Sequence, residues 1–517
     1  MNEEEIQRLM DIEKRVGEFC REKGLNTTSI NFEIVTAEKV IEALAYRMPT
    51  NFHHWSFGRD FEKQETIYKI TGAGIPYEVV WNFNTPTALL VATNPFALNV
   101  VIIAHVFGHV DFHLSNIFMK HGRSTIDIIR EARGARKRFL EYEKRYGQEE
   151  VEKIIDAAIA FQMHQDPDMF SDSLPEEEIR RRRISETMAV LSNLQDSLTI
   201  ITTKEERELI NARILEVEDK IEYLKHHTPP EPQYDILKYL LEKSPKMDKM
   251  WVYDVVSVVR EQMRALAPNM RTQLLNEGWA TYWHVRILRQ LKKEKLITPA
   301  EHEMAIHFHA QVSQKHLTGF NVYHIGPAFW EMIEDKWDKG KFGPDWENCR
   351  DRNVKENWDT NLMQGSQKIL ELRKVLSDRT AIENYFDDDF IRDEQLYIWQ
   401  SGIDTETGNE VCVITENRPE VIRQILLKRF SSLGPSVAII DGNLGGSGEL
   451  LMQHFFSGFE LDPKYESGAL EKLYFLWGRP VHLLTYEMGK YDETTDKFVL
   501  KDVIHSFNGK DHKIISE

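Results

Sequence analysis

"NVVIIAHVFGHVDFHLSNIF", residues 99–118, decides how the chain is read. Apolar side chains occupy every side of a helix drawn through it and leave no face for water, so the stretch predicts a helix buried in a core. His105 and His109 stand four apart within it. Four residues turn a helix through about 400°, so both imidazoles point the same way, one turn apart. Side chains so placed can share one ion, each at about 2.0–2.1 Å. Two hydrogen-bonded core histidines would show the same spacing. Asp111 and His113 follow directly, and Asp111 is a candidate to accept the second ring N–H of a ligating histidine. Zinc proteases with this histidine spacing carry a glutamate after the first histidine; here that position is Val106.

A second stretch completes the candidate site. In "NEGWATYWH", residues 276–284, Glu277 and His284 are seven apart on one face of a predicted helix, among Trp279, Tyr282 and Trp283. A carboxylate in such apolar surroundings needs an ion, an arginine or a proton. The alternative to an ion is a buried salt bridge, with Arg260 or Arg271 as partner. Glu261, in "VVREQM", is a possible second carboxylate. In "IHFHAQVSQKH", residues 306–316, His309 is expected to face inward and His307 and His316 to lie on the surface.

The bulk properties narrow the function classes. The 517 residues exceed one ordinary core, which predicts about two or three domains. The formal charge of −18 repels phosphate backbones and argues against nucleic acid as a general partner. The basic run Arg180 to Arg183 follows Glu176, Glu177 and Glu178, with Pro175 at the entry, which is the charge order of a solvated helix start. Three scattered cysteines, Cys20, Cys349 and Cys412, point to a reducing compartment and away from a thiolate metal site. The charged, helical start is unlike a signal peptide. The longest apolar stretch, 97–110, is interrupted by Asn99 and His105 and is short for a bilayer, so no membrane span and a cytoplasmic location are expected.

The pattern predicts an α+β chain. Residues 1–60 read as an N-terminal helical segment with a linker. Residues 61–380 read as a mainly helical core carrying the His/Glu site, with a few strands near its start in "IYKITG" (67–72) and "YEVVWNFNTPTALLVAT" (77–93). "KEERELINARILEVEDKIEYLKHH" (204–227) is amphipathic and charged, a surface helix, and "HHTPPEPQYD" (226–235) breaks it. Two further helices are expected, separated at Pro268. Residues 385–517 read as a smaller C-terminal α+β domain: strand pair, helix over 417–431, strand pair, helix over 463–475, strand pair. "DGNLGGSGEL" (441–450) lacks the lysine of a phosphate loop and predicts a tight turn between strands.

"AHVFGHVDF", "VVREQM", "NEGWATYWH", "NVYHIG", "DGNLGGSGELLMQH" and "LWGRPVHLLT", in that order, resemble the landmarks of the SpoVR (stage V sporulation protein R) family. The resemblance covers nearly the whole chain. It implies an association with spore cortex formation or a stress-related role, and partners in a PrkA-type serine kinase and a von Willebrand-like protein. It implies no settled reaction, so the chemistry rests on the residues. The chain departs from the family pattern at Gln262, where a second glutamate is common, at Val110, His113 and Ser115, and in "NVYHIG", which replaces Asn-Pro-Tyr.

Two functions follow as expectations. One is a gluzincin-like hydrolase of amide or peptide bonds, acting on a cell-wall-related substrate. His105, His109 and Glu277 would hold a divalent metal, zinc first and iron or manganese next. His284 would be fourth ligand or proton donor, and Glu261 or Asp111 would replace the base missing at Val106. The other is a non-catalytic adaptor or regulator acting with the kinase system, with the same cluster as a structural metal site or polar core.

Overall fold

The computed structural model describes all residues except 47–51, 53, 72–78, 83–84, 123–124, 171–173, 317–318, 404–409, 432, 493–496 and 517. The fold is α+β, as expected, and the chain divides into two compact units. The first comprises 1–137 and 264–433; the second comprises 138–263 and 434–517.

The first unit is built around the helix Phe96–Ser115, nearly all of which is buried. By length and composition it is the one helix among the described residues that could cross a membrane, and here its apolar surface is spent on the protein interior. The helices Glu3–Glu22, Gln273–Lys293 and Pro299–Val312 pack against it, and Val322–Asp338 packs on Gln273–Lys293. One continuous core runs from Leu9 and Val16 through Ile102, Val106 and Trp279 to Phe329 and Leu426. Each of these apolar side chains buried contributes about 1.5–3 kcal/mol.

A three-stranded sheet lies beside this core. Asn31–Val35 runs parallel to Thr87–Val91, and Val79–Trp81 joins the other side antiparallel. The helices Ala37–Ala45 and Trp55–Thr71 fall in the connection that a parallel pair requires. Two expectations are corrected here. Asn31–Val35 is a strand, not part of a helical segment. Ile67–Thr71 of "IYKITG" is the end of a helix, where Lys69 pairs with Glu65 one turn back at 3.0 Å; Gly72 lies outside the described residues. Later in this unit, Ile398–Ile403 and Glu410–Glu416 form a separate hairpin.

The second unit carries a five-stranded sheet in the order His512–Ser516, Lys497–Phe507, Val481–Asp492, Glu449–His454, Val437–Leu444. The single parallel pair in it, Glu449–His454 with Val481–Asp492, is bridged by the helix Pro463–Trp477. The glycine-rich stretch is a hairpin turn, with Gly445, Gly446 and Gly448 at φ of +60°, +77° and +75°, where side chains with a Cβ are strained. The strand-rich region expected from 385 onward is thus divided: its first pair belongs to the first unit and the rest to the second.

The charged helices Glu176–Ile200 and Lys204–His226 pack on each other within the second unit and bury few residues. The helix Met250–Arg271 runs through Pro268 rather than stopping there, and the break falls at Thr272, whose hydroxyl donates to the Pro268 carbonyl at 2.8 Å.

Candidate metal centre

The site lies within the first unit, where Phe96–Ser115 crosses Gln273–Lys293. Small residues make that crossing close. A Cβ on Gly108 would come within 2.6 Å of Ala280 Cα. Gly108 sits between the two histidines, so this close crossing brings the imidazoles up to Glu277. Gly278, which follows Glu277, lets Gln273–Lys293 approach Val322–Asp338, where a Cβ would come within 2.4 Å of the Gly326 backbone. The N-terminus of Gln273–Lys293 is held from a distance: Asp378 accepts the N–H groups of Leu274 and Leu275 at 2.9 and 3.0 Å.

Glu277 Oε2 lies 3.3 Å from His105 Nε2 and 3.5 Å from His109 Nε2. One ligand atom from each of the three side chains lies within 4.8 Å of the others. For an ion with bonds of about 2.1 Å, tetrahedral neighbours are roughly 3.4 Å apart, so both measured separations match edges of such a polyhedron. Ring orientation agrees. His109 Nδ1 donates to Asn276 Oδ1 at 3.0 Å, which leaves the Nε2 lone pair of a neutral ring directed at Glu277. A lone pair facing a carboxylate repels it unless a proton or a cation lies between. Burial pushes the Glu277 carboxyl up, and positive charge and N–H donation from the imidazoles of His109 and His105, when protonated, overcome this and hold it well below the usual carboxylate range.

The other candidates fall as follows. His284 sits behind His105, with Nδ1 2.9 Å from His105 Nδ1 and Nε2 3.0 Å from His309 Nδ1. Burial, reinforced by His105, keeps His284 neutral well below the ordinary histidine value, and burial also lowers His309. His309 therefore faces inward as expected, while His307 is bonded to Gln311 on the exposed side of its helix.

Asp111 is not at the imidazoles: its carboxylate accepts from Arg373 Nε at 2.7 Å, Trp279 Nε1 at 2.7 Å, the Asn26 N–H at 2.6 Å and Ser115 Oγ at 3.3 Å. Glu261 falls in the second unit, paired with Arg260 at 2.8 Å, and Arg260 also holds Asp235 at 2.6 Å. Val106 is fully buried. Asn276, which orients His109, was not anticipated, although it directly precedes Glu277.

A cavity of about 830 Å³ opens onto the cluster. Its lining mixes apolar residues such as Leu98, Ile102 and Phe308 with Asn269, Gln273, His113 and Tyr323. Among its described lining residues Glu277 is the one carboxylate, and none is lysine or arginine. His113 stacks on His109 with ring centroids 6.0 Å apart, and its buried Nδ1 has no partner. Burial, aided by His109, pushes its pKa down to about 3.

Comparison with known proteins agrees with the landmarks. The family model described as SpoVR like protein matches residues 3–434. The uncharacterized protein YcgB of Escherichia coli (strain K12) is 27% identical over an alignment 486 residues long that covers 89% of this chain and 88% of YcgB. No solved structure matches. The chain belongs to the SpoVR-like protein family.

Proposed function

We propose that the protein is a metal-dependent hydrolase of amide or peptide bonds, with His105, His109 and Glu277 as ligands of one divalent ion, zinc before iron or manganese. The observation that carries this reading is the convergence of two imidazole Nε2 atoms on one glutamate oxygen, at 3.3 and 3.5 Å, on the wall of a cavity. Two histidines and a glutamate are the ligand set of catalytic zinc sites that keep a position open. When bound, such an ion polarises a carbonyl and makes a water acidic enough to attack it near neutral pH.

The chain's own residues supply the rest. Asn276 orients His109 through the 3.0 Å bond to Nδ1. The amides of Asn269 and Gln273 and the Tyr323 phenol line the cavity and offer donors and acceptors to an amide substrate. With no lysine or arginine among the described lining residues, a phosphate ester would meet no cationic side chain beside the ion, which favours a neutral group. Val106 stands where gluzincins carry their base, so an imidazole of the cavity outside the ligand set, such as His113 or His309, would have to take the attacking water's proton.

The test is a peptide library incubated with zinc-loaded protein, with and without chelator. New amine termini that appear only with zinc, and fail to appear with Glu277→Gln, support the reading. Folded protein that binds no ion overturns it, and the cluster is then the polar core of a non-catalytic adaptor.

A further inference from the structure

Three imidazoles are linked end to end: His105 Nδ1 to His284 Nδ1 at 2.9 Å, and His284 Nε2 to His309 Nδ1 at 3.0 Å. Each nitrogen pair at that distance needs one proton between its members, donated by one ring and accepted by the other. Two arrangements satisfy both links. If protons point outward, His105 donates to His284 and His284 donates to His309, which leaves a lone pair on His105 Nε2. If they point inward, His105 carries its proton on Nε2, facing Glu277 Oε2. His284 is the hinge of this choice, since it is buried and both of its ring nitrogens are engaged.

We propose that His284 and His309 are positioning residues that hold His105 in the tautomer whose Nε2 lone pair faces the ion. This rests on the metal-centre reading above. It assigns His284 a place outside the ligand set, at the position that Asn276 takes for His109. The two ligating histidines then have unlike supports. His109 leans on a single amide oxygen, which accepts but cannot reverse. His105 leans on a chain that ends at the partly exposed His309 on the cavity wall. Hydrogen-bond partners of metal-bound imidazoles are worth about 10- to 100-fold in metal affinity.

The experiment measures zinc affinity by competition with a chromophoric chelator, alongside thermal melting, on the full chain. His284→Phe keeps the ring's bulk and removes the acceptor, and is expected to weaken zinc binding about 10- to 100-fold. His284→Gln can accept from His105 through its oxygen and donate onward through its nitrogen, and is expected to restore most of that loss. His309→Phe should lose several-fold, with His309→Gln recovering it; this pair decides the matter if His284→Phe does not fold. Folded His284→Phe or His309→Phe with wild-type affinity, or glutamine variants no better than phenylalanine ones, overturns the positioning role alone, provided wild type binds one zinc and Glu277→Gln does not. Wild type that binds no zinc overturns both readings.

Discussion

The helix Phe96–Ser115 buries two polar faces, and they are finished differently. On one, Asp111 is saturated: an arginine, an indole, a backbone amide and a hydroxyl occupy its two oxygens. On the other, His105 and His109 direct Nε2 atoms at a shared carboxylate beside a cavity, and His113 leaves a buried nitrogen with no partner. A saturated buried charge fixes structure, because every donor near it is already used. Acceptors that converge on each other leave something for a ligand to satisfy. The contrast separates a structural ion pair from a candidate reactive centre on the opposite side of the same helix.

The largest effect that could break this contrast comes from the sealed face. Asp111→Ala leaves the Arg373 charge buried and unpaired, and is expected to cost about 3–5 kcal/mol in denaturant unfolding. The folded fraction should still bind zinc; loss of zinc at unchanged stability would move Asp111 into the site.

Next, Gly108→Ala forces a methyl group to within 2.6 Å of Ala280 Cα. It is expected to cost about 1–3 kcal/mol by parting the two helices. Because the ligands lie on both helices, zinc affinity should fall with stability.

Acid titration probes the open face. His113 sits near 3 when folded, against an ordinary value of 6.5, so above 6.5 it is neutral in both states and costs nothing. As pH falls from 6.5 toward 3 the unfolded chain binds the proton first, and stability is lost through that window. At pH 5 the loss is about 2 kcal/mol. His113→Phe should flatten that part of the stability profile, and an unchanged slope would show that His113 is not held neutral.

The smallest change in stability is expected from Glu277→Gln. It should shift metal-free unfolding by about 1 kcal/mol or less, since ligand positions are tuned for binding rather than folding, while abolishing zinc binding. A large destabilisation with no effect on zinc would make Glu277 the structural partner instead.

Much of the site was legible from spacing. A step of four residues from His105 to His109, and of seven from Glu277 to His284, each places two groups on one helical face, and no tertiary information is needed for that. The meeting of the two helices was signalled only by Gly108, whose role appears once its backbone is seen to approach Ala280. Asp111 was misplaced for a reason already present in the periodicity: two residues turn a helix by about 200°, so it faces away from His109. The C-terminal order of strands and helices was readable because turns punctuate it, except for the edge strand His512–Ser516, which makes the expected last pair a trio. The division of the chain was not, since each unit is assembled from two distant runs, and short-range pattern carries nothing about long-range pairing. Asn31–Val35 escaped for the same cause: its partner is Thr87–Val91, more than fifty residues on.

The most direct measurement is anomalous scattering from crystals of the full chain grown with zinc. The expected result is one peak bounded by His105 Nε2, His109 Nε2 and Glu277 Oε2, with bonds of about 2.0–2.2 Å, and His284 outside bonding range. A zinc-saturated crystal with no peak there, or with its ion held by other residues, contradicts it.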